Sequence, residues 1–208
     1  LIMAGIGDDI REVLEELGTA ATVYRLGGSV FSEKLDIETY PDSSTEFIRQ
    51  FFATATTTFD SNIIAGDTVL VNGIYYLATN IQSSSFEDAV VDNTVALYRC
   101  NCNGTLRRLT IVRDENYVEV PTWTPLYTQV KTLQCEDRFG NEMILENDVM
   151  AFVAQKLSLY IPAGYPVKID DRWQPNYLDH TEYYRITTID KRRLSNVLIC
   201  GLKEDSRV

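Results

Sequence analysis

The sequence predicts a mainly all-β chain, with two tandem small β-barrel or β-sandwich repeats and one short helix ahead of the first. Three observations lead there. Twelve Tyr and eight Phe against three Met favour strands over helices. Short runs of alternating apolar and polar residues recur between turns bearing Gly, Asn and Asp. The order of these runs in the first half returns in the second.

The helix is expected over Asp9 to Leu17, where Asp9 and Glu12 form a capping box and Ile10, Val13, Leu14 and Leu17 share a face. Gly18 stops it. Alternation then predicts a hairpin of Ala21–Leu26 and Val30–Ile37 around the turn residues Gly27, Gly28 and Ser29. Thr45–Thr58 carries both periods, and its Thr-rich second part favours a strand from about Glu46 to Phe59. Asp67–Val71 and Ile74–Gln82 flank Asn72-Gly73, a strong two-residue hairpin signal. Ser83–Asn93 lacks periodicity and reads as an exposed loop before a closing strand, Thr94–Cys100.

The second half supplies a counterpart to each landmark. Ile64-Ala-Gly-Asp67 with Val69–Val71 matches Ile161-Pro-Ala-Gly164 with Val167–Ile169. Tyr75-Tyr76 through Ile81 matches Tyr183-Tyr184 through Ile189, and Val95–Cys100 matches Val197–Cys200. The expected organisation is a first repeat over 1–104 containing helix 9–17, a linker over 105–121, and a second repeat over 122–208 with a long hairpin tip at 170–182.

Charge is unevenly placed. Residues 1–104 hold fifteen acids and five bases, and residues 105–208 hold fifteen acids and fourteen bases, so nearly all of the net −11 lies in the first half. An acidic half disfavours tight phosphate binding. No window approaches the ~18 apolar residues that span a bilayer, and the first residues do not read as a secretory leader, so no membrane partner and synthesis in the cytoplasm are expected. Four sparse cysteines then read as free thiols.

The residues offer no complete catalytic constellation, and the chain reads as a non-enzyme without a cofactor or metal. The one histidine, His180, cannot build a paired-His site, and Cys100-Asn-Cys102 lacks further ligands at a defined spacing. Adjacent acids, Glu87-Asp88 and Asp170-Asp171, point apart on an extended chain rather than forming an acid/base pair. What remains are contact candidates. The first loop offers Ser84, Ser85, Phe86, Glu87 and Asp88, and the long tip offers Asp170, Asp171, Arg172, Trp173, Tyr177 and His180. Two basic clusters, Arg107-Arg108 and Lys191-Arg192-Arg193, are candidates for meeting the acidic half of a second copy. Trp123, Trp173 and the tyrosines also leave open a carbohydrate-binding β module.

The stretch Gly66-Asp67-Thr-Val69-Leu-Val-Asn-Gly73-Ile-Tyr-Tyr76-Leu77, behind a helix ending in Leu-Gly and the strand Ala21–Arg25, resembles the small β-barrel head-closure and head-tail joining proteins of tailed bacteriophages. The resemblance covers about residues 9–100, and the second copy departs from it at Tyr165-Pro166. It implies a structural virion protein at the head-tail neck, assembled in the host bacterial cytoplasm as a homo-oligomeric ring of roughly six or twelve copies. Its partners would be a portal or adaptor ring above and a tail terminator or tail tube below. Double-stranded DNA would pass through the lumen without tight binding, retained until ejection. A tail terminator or another tail-associated ring is the alternative within the same class.

Overall fold

The structure, a computed structural model, describes residues 4–28, 30–39, 51–113, 115, 117–137, 144–146, 149–151, 156–176 and 181–207. It is all-β behind one helix, as expected. Helix α1 runs Ala4–Leu17, and the strands of the first half are β1 Thr19–Tyr24, β2 Val30–Thr39, β3 Phe52–Thr58, β4 Thr68–Val71, β5 Ile74–Phe86 and β6 Ala89–Arg99. They close into a barrel in the order β1-β2-β3-β6-β5-β4. Period-two alternation puts Ala21 and Val23, Ala53 and Ala55, Val69 and Val71, and Val95 and Leu97 into one buried core with Leu35 and Tyr76. Its four alanines, Ala21, Ala53, Ala55 and Ala78, keep the interior of so small a barrel narrow enough for six strands to close around it.

The second half contains β7 Cys102–Arg113, β8 Glu119–Asp137, β9 Ile144–Glu146, β10 Val149–Ala151, β11 Lys156–Pro162, β12 Arg172–Pro175, β13 Tyr184–Leu194 and β14 Val197–Glu204. β9 and β10 form their own two-stranded sheet, while the other six close a second barrel in the order β11-β14-β13-β12-β7-β8. Read from β7, this circuit has the same connectivity as the first barrel read from β1. Trp173, Leu106, Leu133, Leu159, Ile161 and Ile186 are fully buried there. The chain divides into two compact units, and the division is not one point in the sequence: 1–100, 162–165 and 191–197 group together, apart from the remainder.

Several boundaries differ from expectation for identifiable reasons. The helix begins at Ala4, so Asp9 lies inside it rather than capping it. Only Leu14 of its predicted face is buried, and Val13 and Leu17 are exposed. Gly18 does end it, donating to the Leu14 carbonyl at 2.9 Å, and a Cβ there would fall 2.3 Å from that same oxygen. The part of the Glu46–Phe59 expectation before Phe51 lies outside the described residues. Ser83–Asn93 is no loop but the far end of the β5–β6 hairpin, turning at Glu87-Asp88 with both residues at positive φ (47° and 67°). Residues 105–121 are no linker. Most of them belong to β7 and the start of β8, because Leu106 fills the second barrel's core and Ile111 pairs with Pro121. The long tip 170–182 likewise contains a barrel strand, β12, held between β7 and β13.

Candidate assembly surfaces

Each barrel carries the same Arg-Asp clamp. Arg25 follows β1 and donates from Nε and Nη2 to the two carboxylate oxygens of Asp67, at 2.9 and 2.7 Å, and also to the Asn62 carbonyl. Asp67 in turn accepts the Ile64 amide at 2.9 Å. In the second barrel Arg108 on β7 donates to both oxygens of Asp171, at 2.8 and 2.7 Å, and to the Pro166 carbonyl, while Asp171 accepts the Lys168 amide at 2.8 Å. Both aspartates are almost fully buried. The hydrogen bond that each arginine donates to its aspartate raises the arginine's pKa, against an opposing effect of burial. The clamps tie the loop before β4 or β12 to the first strand of the barrel, and so fix where the next hairpin starts.

The clamp corrects the alignment of the two halves. Asp67 corresponds to Asp171 and Gly66 (φ 92°) to Asp170 (φ 73°), since each pair exchanges backbone hydrogen bonds with one residue, Ala78 in the first barrel and Ile186 in the second. Ile161–Ile169, expected to match Ile64–Val71, therefore lies ahead of the true counterpart. The tyrosine match holds: Tyr75 accepts the Cys100 amide and Tyr183 the Asp205 amide. Cys100 thus corresponds to Asp205 and not to Cys200.

The predicted contact residues separate into two groups. Ser84, Ser85, Phe86, Glu87 and Asp88 are all exposed at the β5–β6 tip, with Val90 beside them. The 170–182 group does not form one surface. Asp170 is exposed and pairs with Arg185 at 2.6 Å. Asp171 is in the clamp, and Trp173 is fully buried with its Nε1 donating to Gln134 Oε1 at 3.1 Å. Arg172 is buried too: it donates to Asp205 at 2.8 Å and lies over the rings of Trp123 (3.7 Å) and Tyr183 (4.7 Å). Tyr177 and His180 lie outside the described residues. With Trp173 in the core and Trp123 under Arg172 and Arg207, the tryptophans present no platform for sugar rings.

The basic clusters divide in the same way. Arg107 donates to Gln174 Oε1 at 2.8 Å and Arg108 is in the clamp, so that pair holds the barrel together. Lys191, Arg192 and Arg193 are exposed near the end of the β13–β14 hairpin. Buried thiols are poor nucleophiles here: burial pushes Cys102 up to about 11 and Cys200 up to about 12. Among the described residues no group of three His, Cys, Asp or Glu is placed to hold a metal ion, and no helix is long and apolar enough to cross a membrane.

Two apolar surfaces are exposed: the helix's apolar face was read from sequence, the β7–β8 ribbon was not. On the β7–β8 hairpin, Leu109, Ile111, Val112, Val118 and Val120 are exposed, and Tyr117 is 84% exposed. On α1, Ile6, Val13 and Leu17 form an outward stripe. The period-two run Leu109, Ile111 was readable as a strand, but its continuation past the barrel was not. Pro121 and Pro125 sit opposite Ile111 and Arg107, positions of the same parity. Lacking N–H groups, they remove two donors from the edge of β8 that faces away from β7. Comparison with protein-family models, with curated proteins and with solved structures finds no match.

Proposed function

We propose that this chain is a structural virion subunit, assembling as a ring at the head-tail interface of a tailed bacteriophage, where it joins the portal or adaptor to the tail and retains packaged DNA. The observation that carries the reading is the combination of two like barrels with hairpins whose exposed ends are charged or apolar. Rigid closed barrels that project contact hairpins suit a scaffold, and exposed apolar residues such as Ile111, Tyr117 and Val120 call for a protein partner. The resemblance of Gly66–Leu77 to head-closure proteins supplies the location in the particle, and the acidic first half suits a DNA passage without adhesion.

The test is quantitative mass spectrometry of purified particles, intact and tailless, counting this chain relative to the portal-type ring protein. A fixed ring-like ratio in both preparations is expected. A ratio confined to tailed particles moves the chain to the tail, as a terminator or another tail ring, and absence from both overturns the reading.

A further inference from the structure

The β7–β8 ribbon has an open edge on β7. Arg107 and Ile111 stand opposite Pro125 and Pro121, which have no N–H, so these are non-hydrogen-bonded pairs of the ladder. Residues of that parity, Arg107, Leu109, Ile111 and Arg113, therefore aim their N–H and C=O groups away from β8. Arg107 meets β12 on that side, opposite Arg172, and β12 pairs no further along β7. Among the described residues no strand pairs with Leu109, Ile111 or Arg113 there.

The side chains are uncovered on both faces. Leu109 and Ile111 are exposed on one, Ile111 to 70%, and Val112 and Val120 on the other. A ribbon of two strands is marginal in water, and further strands stabilise it. Growth at the outer edge of β8 lacks donors at Pro121 and Pro125, which disfavours the β7-on-β8 stacking that would string copies into a fibre. The ribbon contact left to a second copy is β7 on β7.

We propose that β7 of one copy pairs antiparallel with β7 of a second copy about a two-fold axis at Ile111, forming a four-stranded sheet that the prolines of each β8 terminate. In this register Ile111 faces the second copy's Ile111 and Leu109 faces its Arg113, so no like charges are opposed. The tip of each ribbon lies beside the base of the other, which brings the exposed Glu115 of one copy level with Arg107 of the second, a pair of opposite charge. A two-fold contact is distinct from the rotational contact of a ring, so this inference stands apart from the function proposed above.

The experiment uses the full-length chain and three variants. Ile111→Pro removes the N–H aimed at the second copy and none that faces β8. Ile111→Cys sets a thiol on the axis, where the Cα atoms of a hydrogen-bonded antiparallel pair stand about 5.5 Å apart, within reach of a disulfide. Val112→Cys is its control, because it faces Thr110 of the second copy and not itself. Sedimentation equilibrium is expected to show wild-type dimers, weakened at least about tenfold in Ile111→Pro by the loss of one donor from each copy, with an unchanged circular dichroism spectrum. Mild oxidation is expected to cross-link Ile111→Cys into dimers and to leave Val112→Cys and wild type uncross-linked. A wild-type chain that stays monomeric up to high concentration overturns the contact, as does a folded Ile111→Pro that associates at wild-type strength. If Ile111→Pro does not fold, the cysteine variants decide: cross-linking no greater at 111 than at 112 overturns the pairing.

Discussion

At the scale of residues, the barrels depend on a few buried charges whose partners are fully specified. Asp67 and Asp171 each accept two bonds from arginine and one from a backbone amide, so removing either carboxylate leaves three donors without it. The arginines retain some exposure and regain water, which limits the penalty. Asp67→Ala and Asp171→Ala are expected to cost about 2–3 kcal/mol each in urea unfolding, against less than about 0.5 kcal/mol for exposed Asp36→Ala. Asp205 behaves differently with pH. Burial pushes its pKa up, but hydrogen bonds from Arg207 and Arg172 outweigh that and hold it well below the usual carboxylate range. A depressed folded pKa gives stability that is present above the unfolded value of about 4 and is lost as pH falls through the folded value. The stability difference between wild type and Asp205→Asn is therefore expected to be largest near pH 6 and to shrink as pH falls below about 4. A difference that does not change with pH would detach Asp205 from the acid response.

At the scale of elements, β8 shows how an exposed ribbon is kept from pairing without control. Its outer edge lacks donors at Pro121 and Pro125, and Arg113 and Glu119 place an exposed ion pair (3.3 Å) at the ribbon's end. Replacing both prolines with threonine restores the donors and is expected to increase concentration-dependent aggregation, read by light scattering, with little change in the unfolding midpoint. Equal solubility would show that apolar side chains, not the edge, govern association there. The elements were legible in the sequence to different degrees. The Asn72-Gly73 hairpin was clear because the turn needs positive φ at both positions (49° and 78°), which these residues adopt at low cost. Barrel class followed from alternation and from the repeated run order. The second copy's register was misread because Ile161-Pro-Ala-Gly164 resembles Ile64-Ala-Gly-Asp67 locally, whereas true equivalence is fixed by a long-range pair, Arg108 with Asp171, that no local pattern encodes. Trp173 was taken for an exposed contact for the same reason. β12 is short, and its burial comes from β7 and β13 beside it, while the close approach of Trp173 to Gly104 is invisible along the chain.

At the scale of the whole molecule, the distribution of charge sets what the chain does near DNA. The arginines that would otherwise meet phosphates are largely committed: Arg25 to Asp67, Arg108 to Asp171, and Arg172 and Arg207 to Asp205. The fifteen acids of residues 1–104 add long-range repulsion. Among the described residues, the run of three consecutive exposed bases is Lys191–Arg193, and duplex binding through that run is expected to have a log–log salt slope no steeper than about −3. Fluorescence anisotropy with a labelled duplex is expected to show no binding near physiological salt and weak binding at low salt. That weak binding should disappear in the Lys191→Glu, Arg192→Glu, Arg193→Glu variant. A steeper slope, or binding that persists in this variant, would require a basic surface assembled from other residues. It would also remove the electrostatic argument that this protein lets a duplex slide past it, since a wall that holds phosphates slows the passage a neck ring must permit.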